Sequence, residues 1–463
     1  MEQWMIILCM IFTGAAYVHA QQGEFIKGAD VSWLQEVEAG GGVFREHGNA
    51  KDALVILRKN GFNYLRLRLW HTPAHGVNDL QHTLAMALRA KANGFKILVD
   101  LHFSDWWADP GNQTIPAAWK GLPFGQLKDS VRQYVTLVFS LLKEQGTLPS
   151  MVQFGNEIMC GMLWNEGYVC GTDNTPAQWT KLGELLHAAR KGMDDAVAPT
   201  DTIRVMIHID AGGNYSSASW FFDHLITYYN AFDVIGLSFY PWWHGSIDAM
   251  KENTAKLAVR YSKDIILAEV AYPFTLAYND SVTNIVGTAS QLHIGYPATV
   301  DGQKQYLTDI IAAVKNISMQ RGRGLFYWEP DGISAPGWAS PWENLALFGF
   351  DGEVLPSIQA FHDSTVSVVG YSATVPKQFT LSCFPNPFNP SSTILFTVTE
   401  KISATLTLYN SLGQTIRRLY HDVAEPGREY SIQLDGHGLA GGLYFVRLES
   451  GRRMDMIKAV LMK

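Results

Sequence analysis

The chain has few cysteines and no excess of basic residues, and both shortages exclude classes of function. Four cysteines occur in 463 residues, and neither a CxxC pair nor a histidine cluster gives the spacing of a zinc site. Lysine and arginine total 36 against 43 aspartate and glutamate residues, so the formal net charge is −7. A nucleic-acid partner requires a basic surface, and we therefore do not expect one.

Long apolar runs are scarce as well. The run from Met5 to Val18 is too short to span a bilayer comfortably, and Val18 and Ala20 are the small residues of a cleavage point. We therefore interpret residues 1–20 as a signal peptide and expect an exported protein.

Three cysteines remain once residues 1–20 are removed. Cys160 and Cys170 lie ten residues apart in one predicted loop region. They either form a disulfide in an oxidising compartment or remain two free thiols. Cys383 has no evident partner in the sequence.

Residues 25–365 alternate short apolar runs with amphipathic stretches, such as 80–94 and 181–195, whose apolar residues recur at helical spacing. The short runs lie at 27–33, 63–70, 95–103, 151–157, 203–210, 232–240, 265–272 and 324–330. Eight strands alternating with helices predict a (β/α)8 TIM barrel. A doubly wound sheet is the alternative, but no glycine-rich phosphate loop follows the first run.

The composition changes near residue 370. Proline, serine and threonine replace the helical pattern, and we interpret residues 366–379 as a linker. Alternating runs separated by turn residues follow in 380–463, which predicts a small all-β sandwich. The predicted fold class is therefore α/β, with a TIM barrel followed by an all-β domain.

Polar or aromatic side chains recur near the ends of seven predicted strands, where a barrel places its active site. They are Arg66, Arg68, Asp100, His102, Glu157, His208, Asp210, Ser238, Tyr240, Glu269 and Trp328. Each alone has a structural explanation: Arg66 and Asp100 could form a buried ion pair, and Glu157 could stabilise the next helix. Their convergence at one end of the barrel favours an active site.

Glu157 and Glu269, on the fourth and seventh predicted strands, are the two carboxylates that a retaining glycosidase needs. One protonates the leaving oxygen and later activates water, while the other attacks the anomeric carbon. Either Arg66 or Arg68 would keep Glu269 ionised, whereas an apolar, aromatic environment would keep Glu157 protonated.

Seven motifs lie in order across residues 25–365. They are KGADVSWLQEVEAGGGVF, NYLRLRLWHTP, DLHFSDWWADPGNQTIPAAW, GNEIMCGMLWNEG, LSFYPWWHGS, AEVAYPFTL and FYWEPDGI. Together they resemble glycoside hydrolase family 53, the arabinogalactan endo-β-1,4-galactanases, which are retaining clan A enzymes on a (β/α)8 barrel.

The resemblance implies that Glu157 is the acid/base, that Glu269 is the nucleophile and that Asn156 hydrogen-bonds the sugar 2-hydroxyl. It also implies a substrate-binding set: Arg66, Arg68, His102, Asp105, Trp106, Asn156, His208, Asp210, Tyr240, Trp242 and Trp328. Trp107 is a further candidate stacking platform and Asp109 a further candidate for hydrogen bonding. For Asp109 and Trp119, packing within a loop is the alternative.

Some family members hold calcium in the loop after the seventh strand. The corresponding loop here, TLAYNDSVTNIVGT, contains Asp280 and Asn284 but no evident ligand series. We expect no cofactor to be required, and we take these two residues as candidate ligands of a structural Ca²⁺.

The C-terminal segment contains the motifs FPNPFNP, LYNSLGQ and GGLYFVRL. It resembles the C-terminal sorting domains of the type IX secretion system. This implies export through the periplasm and outer membrane, with the outer-membrane secretion machinery as partner and a secreted or cell-surface location. A fibronectin-like spacer or a carbohydrate-binding module is the alternative.

The expected function is hydrolysis of β-1,4-galactosidic bonds within (arabino)galactan side chains of pectin by a monomeric retaining endo-enzyme. The same fold and glutamate pair could instead act on another β-1,4-glycan, such as mannan or xylan. A non-catalytic glycan-binding surface protein is disfavoured, because both Glu157 and Glu269 are present.

Overall fold

The computed structural model describes residues 24–362, 380–384, 386–398, 400–410, 414–426, 428, 430–451 and 453–462. The predicted signal peptide 1–20 and the predicted linker 366–379 lie outside the described residues. The chain divides into two compact units, Met1–Asp363 and Ser364–Lys463.

The first unit is built on a closed barrel of eight parallel strands, as the alternating pattern predicts. The strands are β1 Ile26–Asp30, β2 Tyr64–Leu69, β3 Lys96–Leu101, β4 Met151–Phe154, β5 Arg204–Ile209, β6 Val234–Phe239, β7 Asp264–Val270 and β8 Gly322–Trp328. Each strand pairs with its neighbours in chain order, and β8 closes on β1. The doubly wound alternative is therefore wrong.

Helices connect the strands around the barrel. They are α1 Leu34–Ala39, α2 Ala53–Lys59, α3 Leu80–Ala92, α4 Phe124–Glu144, α5 Pro176–Ala196, α6 Tyr215–Tyr228, α7 Pro241–His244, α8 Ile247–Tyr261 and α9 Val300–Lys315. Most begin after a residue whose side chain accepts a hydrogen bond from the first helical turn, as with Asp52, Asn214 and Thr299. Within the described ranges, none of the helices combines the length and apolarity needed to cross a bilayer.

The interior of the barrel is apolar at the end where the strands begin. A buried cluster fills it: Ile26, Tyr64, Leu98, Met151, Met206, Val234, Ile266, Ala268 and Phe326. Gly28 is required here, because a β-carbon on it would lie 2.1 Å from the ring of Phe326. The polar side chains of the strands therefore collect at the opposite, carboxyl end of the barrel.

All eight strands end one to three residues before the predicted runs do. β4 stops at Phe154 and β5 at Ile209, so Glu157 and Asp210 lie in the loops that follow. Glu157 adopts φ of +49°, in the left-handed region that a non-glycine residue rarely occupies. Such strain is concentrated at functional sites.

The second unit is all-β, as predicted. Its strands are β9 Thr380–Phe384, β10 Ser391–Thr397, β11 Ile402–Asn410, β12 Thr415–Ala424, β13 Tyr430–Asp435, β14 Gly442–Ser450 and β15 Arg453–Leu461. They form a three-stranded sheet, β9-β10-β13, and a four-stranded sheet, β12-β11-β14-β15. One core joins the two sheets, with Ile394 and Phe396 from one and Leu406 and Val446 from the other. This arrangement is a small sandwich.

Candidate active site

Two glutamates face each other at the carboxyl end of the barrel. Glu157 Oε1 accepts a hydrogen bond from Ser238 Oγ at 2.5 Å, and Glu269 Oε2 accepts one from the Tyr240 hydroxyl at 3.0 Å. One carboxylate oxygen of each glutamate and a ring nitrogen of His208 lie within 4.8 Å of one another. This closeness fits double displacement by a retaining glycosidase, for which the carboxyl groups are about 5–5.5 Å apart.

The surroundings of the two glutamates differ. Burial, the charge of Glu269 and the charge of Asp210 together hold the pKa of Glu157 well above its ordinary value. Burial also raises the pKa of Glu269, to about 7, but the neighbouring Arg66 opposes that rise. Because the Arg66 guanidinium lies 3.1 Å from Glu269 Oε1, it favours the ionised form of Glu269 and leaves the proton with Glu157.

Arg66 is the centre of a buried ionic network beneath the glutamates. Its Nη1 lies 2.8 Å from Asp30 Oδ2, and its Nη2 lies 2.7 Å from Asp100 Oδ2. Its Nε donates to Gln153 Oε1 at 3.2 Å. A bidentate guanidinium held by partners from several strands has little freedom to move, so it fixes the position of Glu269.

Asn156 is almost fully committed to protein partners. Its Oδ1 accepts from Arg66 Nη2 at 2.8 Å and from Gln153 Nε2 at 3.1 Å, while His208 Nδ1 lies 2.9 Å away. Its Nδ2 donates to the carbonyl of Ala108 at 2.8 Å. The second Nδ2 hydrogen is therefore the one group through which Asn156 could reach the predicted sugar hydroxyl.

His208 links Asn156 to Ser238 and hence to Glu157. Its Nε2 lies 2.9 Å from Ser238 Oγ. Burial holds the pKa of His208 well below its ordinary value, so the ring is neutral. Ser238 therefore receives no full positive charge from this side, which is consistent with a protonated Glu157.

Four predicted substrate-binding residues lie beneath the surface of the cleft. The side chains of Arg66, Arg68 and His102 have no exposed area, and His208 is equally buried. Direct contact with a sugar does not fit this burial, so the sequence-based assignment needs correction. Their side chains contact other side chains of the site instead, as His102 does with Asp100 and His208 with Ser238.

Arg68 is not the partner of Glu269, which leaves Arg66 as the arginine in that role. Arg68 Nη1 lies 3.3 Å from Glu329 Oε1, and the guanidinium carbon lies 4.1 Å from the ring centre of Trp107. It also lies 5.6 Å from the ring centre of Trp328. Arg68 thus supports aromatic residues of the cleft from below.

Tryptophans near the carboxyl end of the barrel fall into two groups, and Trp342 packs against both, at 6.3 Å from Trp328 and 6.4 Å from Trp242 between ring centres. We call Trp106, Trp107 and Trp328 the first wall, and Trp242 and Trp243 the second wall. Trp106 is 50% exposed and Trp243 is 58% exposed, which is unusual for so large an apolar side chain. Trp242 packs against Tyr240, with 5.2 Å between ring centres. Flat exposed rings of this kind suit the apolar faces of sugars.

The remaining predicted side chains of this loop region hold the loop together. Asp105 accepts from the backbone N–H groups of Thr72 and Ala117, at 2.9 and 2.8 Å. Asp109 accepts from the backbone of Gly111 at 2.7 Å. Trp119 is buried against His71 and Tyr134. These contacts favour loop packing over substrate binding.

Several residues of the site were not predicted from the sequence. Asp30 and Gln153 belong to the Arg66 network, and Trp243 belongs to the second wall. Asp30 ends β1 and was detectable by the same strand-end rule that selected Asp100. Gln153 carries no such signal, because its role depends on the partners that the barrel brings to it.

Cys160 and Cys170 form a disulfide, with 5.1 Å between their α-carbons. The bond closes the loop that follows Glu157. Within that loop, the backbone N–H of Trp164 donates to the carbonyl of Gln113 at 2.8 Å, and Gln113 Nε2 donates to the carbonyl of Asn156 at 2.7 Å. The bonded loop therefore supports the backbone beside Glu157. Cys383 lies half-buried in the second unit.

The predicted calcium ligands do not fit a cation. Asp280 Oδ1 accepts from the backbone N–H of Val282 at 2.6 Å, and its Oδ2 accepts from the backbone N–H of Ser340 at 2.8 Å and from the Ser334 hydroxyl. Asn284 Oδ1 is buried without a hydrogen-bond partner among the described residues, but it is a single oxygen. Hydrogen-bond donors occupy the positions around Asp280 that a calcium ion would need.

Comparison with known proteins agrees with this geometry. The family described as Glycosyl hydrolase family 53 matches residues 26–361. An uncharacterised protein of Niallia circulans, described as lying in the bgaB 5′ region, is 42% identical over 73% of this chain and 93% of its own length. An arabinogalactan endo-beta-1,4-galactanase of Thermothelomyces thermophilus is 32% identical over 72% of this chain and 97% of its own length.

A solved structure is similar too. The Ignisphaera aggregans GH53 catalytic domain superposes with a TM-score of 0.68 at 38% identity, over 73% of this chain and 96% of its own.

The second unit is a separate finding. The family described as Secretion system C-terminal sorting domain matches residues 382–463. This tail directs export by type IX secretion to the cell surface or the medium. With its family match across the barrel, the chain belongs to glycosyl hydrolase family 53 and carries a C-terminal sorting domain.

Proposed function

We propose that this protein is an exported, retaining endo-β-1,4-galactanase that acts as a monomer on (arabino)galactan side chains of pectin. The observation that carries the chemistry is the close pair of Glu157 and Glu269, with Arg66 beside only one of them. The substrate rests on relatives in the family that are named arabinogalactan endo-beta-1,4-galactanase.

In the first step, the Glu269 carboxylate attacks the anomeric carbon while Glu157 donates its proton to the leaving sugar oxygen. The bond to the leaving sugar breaks, and a glycosyl ester of Glu269 forms. Arg66 and the Tyr240 hydroxyl stabilise the carboxylate before attack and after release.

In the second step, Glu157, now ionised, takes a proton from water as the water oxygen attacks the anomeric carbon. The ester bond to Glu269 breaks and the carboxylate is restored. Two displacements return the original anomeric configuration.

The test is to incubate the protein with linear β-1,4-galactan, β-mannan and xylan, and to follow products by chromatography and the first anomer by NMR. We expect β-configured oligosaccharides from galactan. Products from mannan or xylan alone would overturn the substrate assignment, and an α-anomer formed first would overturn the retaining mechanism.

Two isosteric variants test the residue roles. Glu157→Gln and Glu269→Gln should each lower kcat for galactan by several orders of magnitude without changing the melting temperature by more than a few degrees. Near-normal turnover by either variant would overturn the role of that glutamate.

A further inference from the structure

Three arginines share one carboxylate at the amino end of the barrel, the end opposite the two glutamates. Arg204 Nη2 and Arg323 Nε lie 2.6 and 2.9 Å from Asp264 Oδ2. Arg321 Nη1 lies 3.2 Å from the other oxygen, Asp264 Oδ1. We call Arg204, Arg321 and Arg323 the arginine triad.

The first residues of neighbouring strands bring the triad together. Arg204 begins β5 and Asp264 begins β7, so the Arg204 side chain reaches across the start of β6, which lies between those two strands. Arg323 is the second residue of β8, and the carbonyl of Arg321 accepts a hydrogen bond from the N–H of Ile265 at 2.8 Å. One acid on β7 therefore collects arginines from both of its sides.

The triad carries more positive charge than its surroundings neutralise. One guanidinium is enough to balance Asp264, so the other two leave a local excess of positive charge. Lys263 and Asp233 lie close enough for their opposite charges to interact, and they cancel each other. The excess contrasts with the net charge of −7 on the whole chain. Strand pairing does not call for it, because repulsion among guanidinium groups opposes their gathering on one acid.

Most N–H groups of the triad have no protein acceptor. A guanidinium carries five N–H donors. Within the described part of the chain, each triad side chain makes a single hydrogen bond. The side chains of Arg204, Arg321 and Arg323 are 30%, 32% and 26% exposed, so the unused donors reach solvent. Forked guanidinium donors match the oxygens of a carboxylate or phosphate, which makes an anion the fitting ligand.

The triad is too far from the reacting glutamates to bind the sugar that is cleaved. Asp264 and Glu269 are the first and the sixth residue of β7. A strand advances about 3.3 Å per residue, which puts about 17 Å between their α-carbons. A ligand of the triad is therefore a remote part of the polymer, or a second polymer chain.

The polymer that carries the proposed substrate supplies such an anion. Galactan side chains are attached to the main chain of pectin, which is rich in galacturonate, a sugar with an ionised carboxylate at neutral pH. A chain of repeated carboxylates can be held by several weak contacts at once. A lipid surface fits less well, because its recognition takes a cluster of about four to eight basic residues.

We propose that the arginine triad binds the galacturonate main chain of pectin and anchors the enzyme beside the side chains that it cleaves. The choice of polymer rests on the proposed function, whereas the anion site rests on the triad itself. Anchoring raises the local concentration of galactan without any contact to the reacting bond. The effect is therefore confined to galactan that is attached to a charged main chain.

The test compares the full-length wild type with the double variant Arg321→Gln, Arg323→Gln. This variant keeps Arg204 as the partner of Asp264, so the barrel should fold, but it removes the excess charge. We expect its affinity for polygalacturonate, measured by isothermal titration calorimetry at low salt, to be about tenfold lower. Its kcat/KM on pectin-attached galactan should fall as well, whereas its kcat/KM on linear, uncharged galactan should not change. Added salt should weaken wild-type binding, because it screens exposed charges.

The double variant Arg132→Gln, Arg260→Gln is the matched control. It removes the same number of charges from exposed arginines that are paired with Asp195 and Asp223 on the outer helices. This control should bind polygalacturonate as the wild type does.

Three results would overturn the inference. They are equal affinity of the triad variant and the wild type, an equal loss of affinity in the control variant, and wild-type binding to phosphatidylglycerol vesicles without binding to polygalacturonate. Failure of the wild type to cleave linear galactan would instead overturn the proposed function.

Discussion

Breaking the disulfide between Cys160 and Cys170 should lower the melting temperature of the barrel by a few degrees. The bond closes a loop with a sequence separation of 10. The chain-entropy relation gives about 2.7 kcal/mol for a loop of that length. Unfolding entropy of about 2.1 cal/mol/K per residue, taken over residues 26–361, converts this to a fall in Tm of about 4 °C.

The double variant Cys160→Ser, Cys170→Ser, followed by thermal unfolding in the far-UV circular dichroism, measures this shift. Activity on galactan should fall as well, because the bonded loop supports Asn156 through Gln113. Wild-type protein treated with a thiol reductant should have the same melting temperature as the variant. Cys383→Ser should have the same melting temperature as the untreated wild type.

An unchanged melting temperature in the double variant would refute the loop-closure argument. If the melting temperature fell in the double variant but not in the reduced wild type, the effect would come from the serines and not from loss of the bond.

Three further predictions concern the site. Because the rate requires ionised Glu269, kcat/KM should be lost as the pH falls through the raised pKa of this residue. Tyr240→Phe removes a hydrogen bond that lowers this pKa, so the variant should lose kcat/KM at a higher pH than the wild type. An unchanged pH profile would show that Tyr240 only packs against its neighbours. Arg68→Lys should raise KM for galactan about fivefold with little change in kcat, since the guanidinium that supports Trp107 is lost; an unchanged KM would contradict this role. Because donors surround Asp280, addition of EDTA should leave Tm unchanged, and a fall of several degrees that Ca²⁺ reverses would show that a cation binds.

The sequence was sufficient to predict the barrel and to select two glutamates that the structure brings close together, because both depend on periodic features. Alternation of apolar runs with helical stretches predicts the strand count, and the strand-end rule selects Glu157 and Glu269. The same rule could not separate Arg66 from Arg68. Side chains two apart on a strand share a face, and only the closed barrel brings Glu269 to one and Glu329 to the other.

Burial was the second property that the sequence could not supply. His102 and His208 are residue types that often touch substrates, but here both side chains are buried. The candidate calcium loop illustrates the same point. Asp280 is the right ligand type, yet Ser334 and Ser340, more than fifty residues later in the chain, supply the donors that occupy its oxygens.

The supports of the two tryptophan walls have a consequence for redesign of the enzyme. Within the first wall, Trp107 rests on Arg68, which pairs with Glu329, whereas Trp328 also lies 5.5 Å from the Arg66 guanidinium beside Glu269. The second wall rests on Tyr240, whose hydroxyl also bonds Glu269. Substitutions around Trp107 can therefore alter sugar preference with turnover preserved, whereas repacking around Trp328 or under the second wall will also disturb Glu269.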